Sequence, residues 1–485
     1  LRFAVEERNC KPLSHMPEMT KDVMKELDRV FGEILVDFPI CNSDPVNKIG
    51  DREWADHFAD SRKRQRAHRA VDSKNHNNVK YRKEYILKGD EVLPPRIITE
   101  NMPPVELADY ICEGLYVKGR TICNWHSTTQ AVTGPYVMPF SKKLAQWWDG
   151  QRDHQVQDWT FRILYVGSFS AEDLDEWMNG AIVWCVAEKR MCLAVLGDDS
   201  VFCWFEDGVL WWGMNDFSSY DSSQGLSALR FQHLWMAAGG MPKKVLKCLM
   251  KMYKVKPSLT LKITRKTKYL MFVLRRPSRD SGGSDTSVGN SGNNVAVFVR
   301  AVQLYGNNMS MHESIVEAMK QMGFSGKLFV YESWRQVDFL RGKWWVSVDG
   351  RAVWAPLPGC VLKLGKTLQR ESDLTVDDLR VLAYCQGQGG ATFAGHQGKL
   401  GVPVYSSFCQ ILKDIGRQAE LTDDLRYYLA ERGVNVWKPK RDAPVLIDRD
   451  CAINDCTDRY GLDFPPFLEW FEAQEELIKV AAAEC

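Results

Sequence analysis

Apolar and polar positions along the chain change period several times. In residues 18–35 the apolar positions Val23, Met24, Leu27, Val30 and Phe31 recur at helical spacing and predict an amphipathic helix. Residues 62–69 read as a basic helix, either a solvated face or an RNA contact. Residues 81–88 alternate like a strand, and a Gly89-Asp90 turn leads to residues 94–98, so together they predict a basic hairpin. Residues 101–150 are helical with breaks: Gly134-Pro135-Tyr136 reads as a turn and residues 141–148 as a helix. Residues 162–166 predict a strand, and Ser170 is placed to cap a helix containing Leu174, Trp177 and Met178.

The period then changes. Three short apolar runs, 192–196, 201–205 and 209–214, are separated by Gly197-Asp198-Asp199-Ser200 and Glu206-Asp207-Gly208. Short apolar runs between Gly/Asp turns predict adjacent buried strands. Asp221 and Gln224 resemble a capping box for a helix through Leu226, Leu229, Phe231 and Met236, ended by Gly239-Gly240. A lysine-rich helix (Lys243, Lys244, Lys247, Lys251, Lys254) and an alternating stretch, 259–274, follow. By composition, residues 277–294 are a flexible Gly/Ser linker. They run into an apolar helix, 295–304, however, and from Thr286 onward i+4 spacing puts Thr286 and Asn290 on one helix face. A helix over 312–322, a turn over 323–327, strands at 328–331, 337–340 and 344–348, and a hairpin at Asp349-Gly350 come next. Residues 370–485 read as mostly helical, over 377–384, 406–415, 423–432 and 464–480.

Composition adds bounds. The chain has 485 residues, 45% hydrophobic and 26% charged, which suits a large globular protein of several domains or lobes. Lys+Arg 63 against Asp+Glu 62 gives a net charge of +1, so bulk charge does not speak for or against nucleic acid. The 14 cysteines have no zinc-ligand spacing, Cys451 and Cys456 being a lone pair, and read as reduced core thiols of a cytosolic protein. No apolar run approaches the ~18 residues of a membrane span. The chain starts with Leu1 and is expected to be part of a longer polypeptide.

The acidic residues change the picture most. The three predicted strands would bring Asp198, Asp199 and Asp216 together at one end of a sheet. Two carboxylates about 4 Å apart repel by about 4 kcal/mol at an effective dielectric of about 20, so three must raise one another's pKa values or recruit a cation. Oxygen-only ligands suit Mg²⁺ or Mn²⁺, and two such ions can clamp an in-line phosphoryl displacement.

Three signals sit together: Gly197-Asp198-Asp199 between strands, Asp216 followed by Asp221 after a strand, and Ser281-Gly282, Thr286 and Asn290 opening a helix. Together they resemble motifs C, A and B of viral RNA-dependent RNA polymerases. Their order here is C, A, B, which resembles the permuted polymerases of birnaviruses and permutotetraviruses; Gly-Asp-Asp is nearer the permutotetravirus pattern. Residues 83–97 resemble motif F, 311–331 motif D and 339–342 motif E.

The resemblance implies an α+β right-hand polymerase with an antiparallel palm sheet and permuted palm connectivity. Fingers would occupy 1–190 and 223–280, palm 191–222 and 281–345, and thumb 346–485. It implies RNA synthesis from rNTPs on an RNA template with two Mg²⁺ or Mn²⁺ ions held by Asp198, Asp199 and Asp216. Asp221 and Asn290, with Ser281 or Thr286 nearby, would read the ribose 2′-hydroxyl. Lys83, Lys88 and Arg96 would hold the triphosphate, Ser281-Gly282 would face the template or nascent pair, and Lys327 would be the general acid for pyrophosphate. Implied partners are template and nascent RNA, rNTPs and other viral replication or capsid proteins. The implied place is a replication complex in host cytoplasm, or the virion. A reverse transcriptase and a non-catalytic RNA-binding structural protein are the rival readings.

Overall fold

The computed structural model describes residues 20–58, 61–87, 121–168, 170–262, 268–272, 277–306, 308–357 and 447–461. Helix α1 (Lys21–Asp37) is capped by Thr20, whose hydroxyl accepts the Val23 N–H, and it buries Val30, Phe31 and Ile34. Helices α2 (Asp51–Asp56) and α3 (Ser61–Asn75) follow. The basic segment is α3: it buries Ala67, Ala70 and Val71 and keeps Lys63, Arg64, Arg66 and Arg69 exposed, as a solvated face does.

Strand β1 (Lys83–Leu87) falls where the alternating stretch predicts a strand, and residues 94–98, the expected return of the hairpin, lie outside the described residues. Its antiparallel partner is β2 (Thr121–Trp125), and its other edge meets Ser258 of a strand described below.

Helix α4 (Ser127–Trp147) runs straight through the turn expected at Gly134-Pro135-Tyr136. Pro135 and Pro139 have no N–H to give to the carbonyls four residues back, those of Ala131 and Pro135. Both carbonyls have outside donors: Lys74 Nζ reaches the Ala131 oxygen at 3.4 Å, and the Ile49 N–H reaches the Pro135 oxygen at 3.1 Å. Gly134 lets the Trp54 ring lie on the helix, since a Cβ there would come within 2.3 Å of Trp54 Nε1.

The central sheet begins next. Strands β3 (Asp149–Val156) and β4 (Trp159–Tyr165) form a hairpin, and α5 (Ala171–Trp184), with Ser170 and Asp173 in a capping box, crosses to β5 (Arg190–Leu196). Strands β6 (Asp199–Glu206) and β7 (Val209–Phe217) continue as antiparallel hairpins. Helices α6 (Tyr220–Ser223), α7 (Leu226–Ala238) and α8 (Lys243–Lys254), strands β8 (Ser258–Lys262) and β9 (Lys268–Phe272), and helices α9 (Thr286–Leu304) and α10 (Met311–Gln321) follow. Strand β10 (Gly326–Tyr331) returns to the central sheet. Strands β11 (Asp338–Phe339), β12 (Gly342–Val346) and β13 (Ala352–Pro356) form a small sheet. Helix α11 (Arg449–Tyr460) is tied to it by Asp455, which pairs with Arg335 and Lys343. The helices expected over 377–384, 406–415, 423–432 and 464–480 lie outside the described residues.

The order of the six-stranded sheet is β10-β7-β6-β5-β4-β3, antiparallel except for β4 beside β5, so the fold is α+β. The sheet thus starts at Asp149, inside the span expected for fingers. Met191, Leu193, Val195, Phe202 and Trp204 face one core, built with α1, α4, α7 and α9. Cys192, Ala194, Val201, Cys203 and Trp212 face a second, built with α5 and the small sheet. Burial on both faces is why β5 and β6 read as continuous apolar runs instead of alternating. Of the Gly/Ser stretch expected as a linker, residues 286–294 begin α9, and from Val288 on they are buried: at Gly292 a Cβ would come within 2.3 Å of Trp235. Among the described residues no helix is long and apolar enough to cross a membrane.

Candidate active site

The pairing of Leu196 with Asp199 leaves Gly197-Asp198 as a two-residue turn between β5 and β6. Gly197 has φ +66, the left-handed conformation that a tight hairpin needs at its first central position. Ser200 pairs with Asn215, and one step further along the antiparallel ladder Asp199 stands across from Asp216. On the other side of Asp216, β10 places Lys327 directly opposite. Cross-strand neighbours point to one face. Asp199, Asp216 and Lys327 therefore form a row across three strands, with Asp198 at the turn beside it, and all four are exposed. Lys327 is in the strand, not in the turn that the sequence predicts.

Electrostatics register the convergence. The protein packed around it, then the Asp198 and Asp216 carboxylates, push Asp199 up to about 6, while Arg341 pulls the other way. Arg341 sits with Leu340 in the two-residue turn between β11 and β12, both at positive φ (+62 and +54). Neither is glycine, so each costs ~1–2 kcal/mol in this conformation. The Arg341 carbonyl accepts the Leu357 N–H at 3.1 Å and the Phe339 carbonyl accepts Trp354 Nε1 at 3.1 Å, which hold the turn.

Oxygen-only donors are the kind a hard divalent cation takes, but the Asp198, Asp199 and Asp216 carboxylates do not all bring donor atoms within 4.8 Å of one another. Among the described residues, the one group of three ligand-type side chains with donor atoms within 4.8 Å of one another is Cys185, Cys192 and Cys203. The three carboxylates are therefore spaced more widely than those thiols. The thiols are buried in the second core, where Cys185 Sγ donates to the Arg190 and Cys203 carbonyls at 3.3 Å, and they have no part in the acidic row.

Helix α9 lies against the acidic turn. Ser291 Oγ accepts the Gly197 N–H at 2.8 Å, and Asn294 donates to the Asp198 carbonyl at 3.4 Å. Asn294 Oδ1 also accepts from Asn215 Nδ2 at 3.2 Å, so one polar helix face grips both the turn and β7. One turn earlier, Asn290 Nδ2 donates to Asp221 Oδ1 at 2.7 Å. The buried Tyr220 hydroxyl donates to the Asn290 carbonyl, and both Asp198 and Asp221 are near enough to help push its pKa up beyond the effect of burial.

The loop before α9 presents Ser281 and Gly282. The Ser281 carbonyl accepts the Cys123 N–H at 2.7 Å, joining the loop to β2. Gly282 is at φ +109, and a Cβ there would come within 2.6 Å of Ile122 Cγ2. The Thr286 hydroxyl donates to the Asp280 carbonyl at 2.7 Å and so braces the loop instead of sharing Asn290's contacts. Asp280 is buried beneath, accepting from Trp125 Nε1 at 2.9 Å and Lys83 Nζ at 2.8 Å.

That contact corrects one expectation. Lys83 does not face a triphosphate: it and Asp280 are both fully buried, and the ammonium also reaches the Tyr253 carbonyl. A buried charge is costly unless it is paired, so the ion pair fixes where the lysine points. Lys88 and Arg96 lie outside the described residues. A second correction concerns Gln224. It is not a capping-box partner, because α7 starts at Leu226 after Gly225, and the Gln224 side chain is buried against Asn290.

The structure thus brings together Asp198, Asp199, Asp216 and Lys327, and separately Asp221 with Asn290, with Ser281 and Gly282 on the adjoining loop and Thr286 at the start of α9. Sequence reasoning missed Ser291 and Asn294, read Gln224 as a cap, and gave Arg341 only a place in the hairpin that resembles motif E. A clustered signal for the first two was present: polar residues every three to four positions ahead of an apolar helix mark a polar stripe. No family model matches the chain, and no curated protein matches it.

Proposed function

We propose that the protein is an RNA-dependent RNA polymerase with permuted palm motifs. Its right-hand palm would be the central sheet with α9, extending to Asp149. The observation that carries this reading is the meeting of the Gly197-Asp198-Asp199 turn and Asp216 at one sheet end with α9, far along the chain, which touches that turn through Ser291 and reads Asp221 through Asn290.

Asp198 and Asp216, with Asp199 beside them, would hold two Mg²⁺ or Mn²⁺ ions. When bound, these supply charge neutralisation for the triphosphate and ease ionisation of the RNA 3′-hydroxyl. The new bond joins the 3′-oxygen to the α-phosphorus, and pyrophosphate leaves. Lys327, across the ladder from Asp216, would give a proton to the leaving group. Asp221, with Asn290 bonded to it, favours a sugar that carries a 2′-hydroxyl. The partners are template RNA, nascent RNA and rNTPs, in a viral replication complex.

Purified protein given an RNA template–primer, rNTPs and Mg²⁺ or Mn²⁺ is expected to extend the primer, and Asp198→Ala and Asp216→Ala are expected to abolish extension. Absence of product, or product unchanged in both variants, sinks the reading. Equal or better use of dNTPs favours a reverse transcriptase.

A further inference from the structure

Behind the Asn290–Asp221 contact lies a buried chain of hydrogen bonds with one direction. Arg279 is fully buried, and a guanidinium can only donate. Its Nε donates to Gln224 Oε1 at 2.6 Å, and Asn293 Nδ2 donates to the same oxygen at 2.7 Å. The Gln224 carboxamide must therefore turn its oxygen to Arg279 and its NH₂ outward. That NH₂ donates to Asn290 Oδ1 at 2.9 Å, which turns the Asn290 NH₂ to Asp221. Arg279 is itself held in place. Its guanidinium donates to Gln232 Oε1 and to the Tyr253 hydroxyl, and Gln232 and Tyr253 both donate to the buried carboxylate of Asp285.

The oxygen and nitrogen ends of a carboxamide are nearly the same shape, so elsewhere it can be turned end for end. Here reversal of either amide would set NH₂ against the Arg279 donors, or carbonyl oxygen against the Asp221 carboxylate. Buried polar groups left without partners are costly, so the chain has one stable polarity.

We propose that Gln224 is a positioning residue for ribose recognition: held by Arg279, it sets the polarity of the Asn290 carboxamide and so the placement of the Asp221 carboxylate. This rests on the polymerase reading above. Gln224 acts through Asn290 and touches no substrate.

Gln224→Glu tests it at constant size. The new carboxylate still accepts from Arg279 and Asn293 but has no NH₂ for Asn290. Asn290 must then turn its NH₂ inward and set its oxygen against Asp221. Gln224→Met removes both links without reversing anything. The readout is the ratio of kcat/KM for rNTP to that for dNTP, on an RNA template–primer with the full chain. The ratio is expected to fall on the order of tenfold, one hydrogen bond's worth, in Gln224→Glu and less in Gln224→Met, mainly through KM for rNTP. Adding Asp221→Asn to Gln224→Glu supplies a donor for the turned Asn290 oxygen and is expected to restore part of the ratio, which general loosening of the fold would not do. For a variant too slow to extend primers, displacement of a fluorescent nucleotide by ATP and by 2′-deoxy-ATP with Mn²⁺ gives the same comparison. A wild-type ratio in folded Gln224→Glu, or in Gln224→Met should the first not fold, overturns the proposal. A wild-type protein that extends no primer overturns the polymerase reading instead.

Discussion

The Ser291 hydroxyl accepts the Gly197 backbone N–H at 2.8 Å and donates to the Ser287 carbonyl at 2.9 Å. One buried side chain thus pins the acidic turn to α9 across 94 positions of sequence. Chain order is irrelevant to such a contact, which is why a turn that precedes β7 can serve the same site as one that follows it.

Ser291→Ala removes the acceptor and leaves the Gly197 N–H without it. A loss of ~1–3 kcal/mol is expected in urea unfolding, together with slower primer extension, because Asp198 rides on that turn. Stability equal to wild type would mean that the turn is held by other means.

Lys83 and Asp280 are a fully buried ion pair under the Ser281-Gly282 loop. Lys83→Met takes the cation away from the buried Asp280 carboxylate and is expected to cost ~3–5 kcal/mol, whereas Lys83→Met with Asp280→Asn, which keeps an acceptor for Trp125, recovers most of it. Equilibrium unfolding of the two variants decides this. If Lys83→Met weakens only nucleotide binding and leaves stability intact, the triphosphate role returns.

Asp199 makes stability depend on pH in a defined sense. Its folded pKa, about 6, is above the ordinary carboxylate value, so between roughly pH 4 and pH 6 the folded state binds more protons than the unfolded state. This group's contribution therefore weakens folding as pH rises through that window. Thermal melts should show the slope, and Asp199→Asn should flatten it. Mn²⁺ should raise the melting temperature more at pH 7.5 than at pH 5, since protons compete for the same carboxylates. An equal shift at both pH values would contradict a carboxylate cation site.

Lys327 stands opposite Asp216 on the neighbouring strand. Lys327→Leu is expected to lower kcat about 100-fold with little change in KM for rNTP. A change confined to KM would make Lys327 a binding residue.

The three strands around the acidic turn were legible because uninterrupted apolar runs and Gly/Asp turns are local signals that tertiary contacts did not override. The Ser170 cap and α1 were legible for the same reason. Local signals failed where a partner elsewhere in the chain altered the cost of a conformation. Gly134-Pro135 reads as a turn until Lys74 and Ile49 supply the missing donors. The stretch before Val295 reads as a linker until Trp235, Gln224 and the acidic turn pack on it. Lys83 reads as a surface cation until Asp280 is found beneath it.

By itself the sequence determined which residues could supply the chemistry and that Asp198, Asp199 and Asp216 would meet at a sheet end, since strand periodicity and two-residue turns fix register over short distances. Only the tertiary structure decided which cations are buried, that α9 holds the turn, and which way the amides between Arg279 and Asp221 point. Those outcomes depend on desolvation and on donor–acceptor matching between groups far apart in the chain, and neither leaves a periodic mark in the sequence.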